Sequence, residues 1–104
     1  MEKIVIKREE DKVLGRYIVT NETGDRLVEF DAELTSGHYI LFSSYDYRRR
    51  LLFFGRKSFD VLDSDRRDEA QKKLYSKALD YALGETRENK GMIEDRTNMV
   101  QTLL

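Results

Sequence analysis

The sequence predicts an α+β domain: an antiparallel meander of about five strands covered on one face by one long helix, with a C-terminal helical arm. Two observations predict it. In the first 59 residues, short apolar runs and alternating segments are separated by turns rich in Gly, Asn, Asp and Ser, the pattern of strands joined in sequence. At residues 63–84 the apolar period changes from two to about 3.6, and a single amphipathic helix is expected there. A chain of 104 residues is one domain, able to bury about two thirds of the surface its unfolded form exposes. It divides into the meander at 1–59, the covering helix at 63–84 and the arm at 91–104.

Ile4, Val5 and Ile6 form a β-branched run between charged residues and predict the first strand. In residues 13–20, VLGRYIVT, the side chains of Val13, Tyr17 and Val19 share one face with Gly15 and make the better core face. The NETGD stretch at 21–25 supplies a hairpin loop in which Gly24 takes the positive φ that a bulged turn requires. The next strand has the cleanest alternation in the chain. Val28, Phe30, Ala32 and Leu34 face inward, and Glu29, Asp31 and Glu33 form an acidic ladder outward. After a turn at 35–37, residues 39–57, YILFSSYDYRRRLLFFGRK, read as two buried strands, ILF and LLFF, joined by a loop carrying Tyr45, Asp46 and Tyr47.

Asp63, Ser64 and Asp65 offer N-cap oxygens to the helix, and Asp68 and Glu69 place negative charge in its first turn. Ala70, Leu74, Ala78 and Ala82 form one row at spacing four, Tyr75, Leu79 and Leu83 form the adjacent row, and Gly84 ends the helix. Past a charged linker at 85–91, Met92, Ile93, Met99, Val100 and Leu103 fall at helical spacing and predict a second helix. Such an arm needs something to dock on, either its own sheet or a second copy. The sharper expectation is a homodimer through Met92, Ile93, Met99, Val100 and Leu103. The expected core comprises Val5, Val19, Val28, Phe30, Leu34, Ile40, Phe42, Leu51, Phe53, Leu74, Ala78 and Leu79.

Composition removes several chemistries. Without cysteine there are no disulfides, thiolate ligands or cysteine nucleophiles, and a reducing, cytoplasmic setting is expected. Nineteen basic and twenty acidic side chains give a net charge of −1, so no global field steers the chain to nucleic acid or to an anionic membrane. No apolar run approaches the roughly 18 residues of a membrane span, and the three apolar residues near the start are too few for a secretory leader. His38, the single histidine, lacks the partners of a metal ligand or a general base. The ladder of Glu29, Asp31 and Glu33 resembles a hard-cation site, but its alternation is that of any half-exposed strand. Neither a Walker A loop nor a Gly-x-Gly-x-x-Gly turn occurs. No metal, cofactor or catalytic constellation is expected.

One segment stands apart chemically. Residues 45–57 carry five basic side chains (Arg48, Arg49, Arg50, Arg56 and Lys57) against one acid, Asp46. Arginine pairs with phosphate oxygens bidentately and tyrosine rings stack on bases, so Tyr45, Tyr47, Arg48, Arg49 and Arg50 suit single-stranded nucleic acid. Four or five strands under a helix is also an architecture seen in Whirly and PUR-type single-strand binders, which is analogy alone. The competing reading is that these arginines neutralise the acidic stretch at 22–33, which holds five acids and one base. The chain is therefore expected to be a non-catalytic interaction module acting through protein–protein contacts. Tyr45, Tyr47, Arg48, Arg49, Arg50, Arg56 and Lys57 would form its partner surface, and single-stranded nucleic-acid binding is the alternative.

Overall fold

Each strand offers two faces, and the position of the helix decides which becomes the core. The computed structural model describes residues 2–9, 14–35, 37–49, 56–63 and 65–98. Among these, β1 (Lys3–Glu9), β2 (Arg16–Thr20), β3 (Arg26–Leu34), β4 (Ile40–Asp46), β5 (Lys57–Leu62) and β6 (Met92–Asp95) form one mixed sheet, with a single helix, α1 (Arg67–Asn89). The spatial order is β5-β4-β3-β2-β1-β6. The first five are the expected antiparallel meander, and β6 adds to β1 in parallel.

On the helix side, cross-strand rows place Ile6 beside Val19 and Val28, Tyr17 beside Phe30, and Ala32 beside Phe42. Against them α1 lays the row Ala70, Leu74, Ala78 and Ala82 together with Tyr75, all buried. Small alanines at spacing four let the helix sit close to the sheet, and burying each Leu, Ile or Phe contributes about 1.5–3 kcal/mol. Phe59 joins from β5, edge-on to Phe30 at 6.0 Å and tilted against Phe42 at 5.9 Å. No described helix is long and apolar enough to cross a membrane.

The turns follow their chemistry. Asn21 Oδ1 accepts the backbone N–H of Thr23 at 3.1 Å and of Asp25 at 2.9 Å, and Gly24 takes φ 92° as expected. Between β3 and β4 the left-handed residue is His38, at φ 64° and exposed.

Several boundaries differ from the sequence reading. Tyr45 and Asp46 lie inside β4, and Tyr47 opens a 3-10 turn that runs to Arg49. The strand that pairs with β4 is Lys57–Leu62, since Phe59 fills the core beside Phe42; Leu51 and Phe53 lie outside the described residues. Gly84 sits within α1, which continues to Asn89 because Glu85 is held by Arg48 from below, and a left-handed Lys90 ends it. The N-cap is Arg66, without a side-chain capping bond, in place of Asp63, Ser64 or Asp65. The expected second helix begins instead as strand β6, because pairing with β1 satisfies its backbone and buries Ile93 against the core. Of the expected core, Leu34 is 44 % exposed, Leu79 is half-buried, and Val5 is buried on the opposite face, its place taken by Ile4 and Ile6.

Candidate functional site

The face of the sheet away from α1 carries an ionic cluster built around one buried carboxylate, Glu29. Alternation puts Arg16, Glu29, Asp31 and Glu33 there, and register aligns Glu9, Arg16 and Asp31 in one cross-strand row with Glu29 one row away. Glu29 is only 3 % exposed. Its carboxylate accepts hydrogen bonds from the Tyr47 hydroxyl, from Arg26 at 2.6 Å and from Arg56. Arg16 donates to Asp31 through Nε at 3.2 Å and Nη2 at 3.0 Å, and Arg56 reaches Asp31 at 3.2 Å. Glu9 closes the cluster, 2.9 Å from Arg26 and 3.7 Å from Arg16.

Three carboxylates thus face three guanidiniums, and the cluster is neutral. Burial pushes the Glu29 carboxyl up, but Tyr47, Arg26, Arg16 and Arg56 together outweigh it and hold the group below its ordinary 4.5. The same contacts act in reverse on the donors. Asp31 holds Arg16 above its ordinary value, and burial with Glu29 pushes the Tyr47 phenol up. Tyr45 lies edge-on to Tyr47 at 4.7 Å, which fixes the ring that carries that hydroxyl.

Arg48 turns the other way. It pairs with the buried Glu85 and with the Tyr81 hydroxyl on α1, its guanidinium 5.7 Å from the Tyr81 ring centre. A further polar cluster joins helix to sheet at β6. The Tyr75 hydroxyl donates to Asp95 at 2.6 Å, and Thr97 caps the same carboxylate through its N–H at 2.8 Å. Burial and that carboxylate push Tyr75 up to about 12. Beside it the Tyr17 hydroxyl is buried without a hydrogen-bond partner.

The remaining concavity is a cleft of about 510 Å³ at one end of the sheet, lined by Leu14, Ala32 and Leu34 on one side and by Asp31, Glu33, Ser43 and Arg56 on the other. Next to it stand three exposed apolar side chains, Leu34 and Tyr39 at 44 % and Val61 at 55 %. They do not form one patch: Leu34 shares a cross-strand row with Ile40 and Leu62 on the helix side, whereas Val61 shares one with Leu41 and Glu33 on the far face.

The predicted basic surface is therefore dispersed. Tyr47 and Arg56 belong to the Glu29 cluster, Arg48 to Glu85, and Tyr45 packs on Tyr47. Lys57 begins β5 and is exposed, Arg49 ends the 3-10 turn, and Arg50 lies outside the described residues. Of the self-association set, Ile93 packs in the core of its own chain and Met92 is 58 % exposed, while Met99, Val100 and Leu103 lie outside the described residues. The acidic ladder carries guanidiniums on two of its three members, and among the described residues no group of three His, Cys, Asp or Glu side chains is placed to hold a metal. Sequence reasoning missed Arg16 and Arg26 as the counter-charges. No family model, no curated protein and no solved structure matches the chain.

Proposed function

We propose that the chain is a small non-catalytic interaction module acting through protein–protein contacts, made at the end of the sheet where Leu34, Tyr39 and Val61 meet solvent. The observation that carries this reading is the cleft at that end of the sheet, with Leu34, 44 % exposed, on its apolar wall beside Leu14 and Ala32. Single exposed apolar residues are ordinary, whereas one standing at the rim of an apolar cleft offers a seat for another molecule's side chain. Charge matching supports it further. The guanidiniums that an acidic or phosphate-bearing partner would use, Arg48 and Arg56, already meet Glu85, Glu29 and Asp31. Their charge is already matched by these carboxylates, so a phosphate gains less from them than from unpaired guanidiniums. Self-association belongs to the same reading at the outer edge of β6, where Met92 is exposed.

Photo-crosslinking separates this reading from single-strand binding. A photoreactive residue at Tyr39 should trap one protein from a lysate of the source cell, the same residue at exposed Ser76 on α1 should not, and Val61→Asp should abolish the adduct. Equal adducts from both positions would overturn the reading. So would anisotropy of a labelled mixed-sequence oligonucleotide that shows salt-sensitive, single-strand-selective binding lost in Tyr45→Ala/Tyr47→Ala. Sedimentation velocity across a wide concentration range reads the dimer directly, and a concentration-independent monomer removes it.

A further inference from the structure

We infer that the partner is taken as an added β-strand: an extended segment of another protein, apolar–basic–apolar over three residues, pairing with the free edge of β3 at Ala32, Glu33 and Leu34. The inference rests on the protein-contact reading above and states how that contact is made.

β3 is paired with β4 as far as Leu34, opposite Ile40, but its pairing with β2 stops at Asp31, opposite Arg16. Ala32, Glu33 and Leu34 therefore have a strand on one side and, among the described residues, none on the other. The cause is local. Gly15, at φ 84°, turns the chain out of line with β2, in a conformation that disfavours any side chain, and a Cβ there would also crowd Arg8 Nε at 3.1 Å. Leu14 then drops into the core instead of continuing along β3. The departure leaves the cleft of about 510 Å³ against that edge.

A strand edge presents N–H and C=O groups spaced for another strand, and alternate side chains of whatever pairs there are read on opposite faces. Side chains added beside Ala32 and Leu34 point to the helix side, where Leu14, Ala32 and Leu34 form an apolar wall. The one added beside Glu33 points to the far face and meets a carboxylate that is exposed and has no ion-pair partner among the described residues. Arg56 does not compensate Glu33, since Glu29 and Asp31 already hold it. A lysine or arginine completes that position, and a glutamate is repelled. Nucleic acid has no strand to add, and its phosphates meet Glu33.

The probe is a fluorescein-labelled heptapeptide with Val-Lys-Val at its centre, compared with a Val-Glu-Val peptide and with the lysine peptide N-methylated at both valines. Anisotropy should show the lysine peptide binding at least about tenfold more tightly than the glutamate peptide, with N-methylation abolishing binding. Glu33→Lys, a change at an exposed position that breaks no ion pair among the described residues, should reverse the preference. Failure of every peptide to bind, or binding indifferent to N-methylation or to Glu33→Lys, overturns the inference. Excess lysine peptide present before irradiation should prevent the Tyr39 adduct. If it persists, strand addition fails while the interaction reading stands, and if neither adduct nor peptide binding occurs, both fall. A dimer abolished by Glu33→Lys alone would assign the edge to a second copy and also overturn the inference.

Discussion

On the side toward α1, β3 contributes Val28 and Phe30 to a core of aliphatic and aromatic side chains; on the opposite side the same strand contributes Glu29 and Asp31, enclosed by Arg16, Arg26, Arg56 and Tyr47. Glu29 and Val28 are equally buried, at 3 % each. What differs is the tolerance of the two faces. Apolar packing accepts substitutes of similar volume, whereas a buried ionic cluster is stable only while each charge keeps its partners, because a survivor left alone retains its desolvation penalty. The sheet is thus buried twice, once by a chemistry that is degenerate and once by one that is not.

The largest effects should come from removing one member on each face. Phe42→Ala opens a cavity on the helix side and should cost about 3–5 kcal/mol in urea unfolding. Glu29→Ala should cost about 1–3 kcal/mol, since it removes the charged hydrogen bonds to a buried carboxylate while Arg26 and Arg56 keep their access to water. A Glu29→Ala cost under about 1 kcal/mol would mean that the far face is ordinary surface, and the comparison collapses.

The two faces should also part with pH. The folded-state Glu29 carboxyl lies below its ordinary 4.5, so its contribution is fully present above that value and is lost as pH falls through the depressed folded value. Tyr75 has the opposite sign. Raised from 10.0 to about 12, it contributes fully below pH 10 and loses that contribution between about 10 and 12. Denaturant midpoints measured across both windows should flatten at the acid end in Glu29→Gln and at the alkaline end in Tyr75→Phe. Curves that match wild type would remove the assignment.

Smaller changes should sharpen the contrast by raising stability. The Tyr17 hydroxyl is buried without a partner, so Tyr17→Phe should gain about 1 kcal/mol by removing an unsatisfied group from the apolar face. A loss would mean that the hydroxyl is satisfied. Gly84→Ala, at a helical position with nothing within 4 Å of the added Cβ, should gain about 0.5–1 kcal/mol, a rise of a few degrees in Tm.

The helix side was largely legible. Alternation in β3 and the four-residue rows of α1 report apolarity at a fixed period, and Val28, Phe30, Leu74 and Ala78 fall where that period puts them. The far face was not, because the same alternation that marks Glu29 as polar also implies that it is wet. Its burial depends on Arg16, Arg26, Arg56 and Tyr47 converging from other parts of the chain, which no local period encodes. Glycine misled at the helix end for a related reason. A single Gly84 reads as a stop, but the long-range bond from Arg48 to Glu85 carries α1 past it. Strand β6 was hidden because parallel pairing with β1 leaves no signal in four residues. The candidate site was visible only in fragments: Glu33, Leu34 and Tyr39 were each placed in the meander, yet the edge they flank arises from where β2 ends.

The pairing of Lys3 with Met92 bears on how the chain behaves while it is being made. Until β6 docks, the outer edge of β1 presents unguarded hydrogen-bonding groups flanked by Ile4, Val5 and Ile6. Strand edges of that kind recruit neighbouring chains. Strand β6 acts as a latch: Met92 N–H closes on the Glu2 carbonyl at 2.8 Å, at a crossing so tight that a Cβ on Gly91 would lie 2.3 Å from the same oxygen. A chain cut after residue 91 should be captured by holdase chaperones that leave the full chain free.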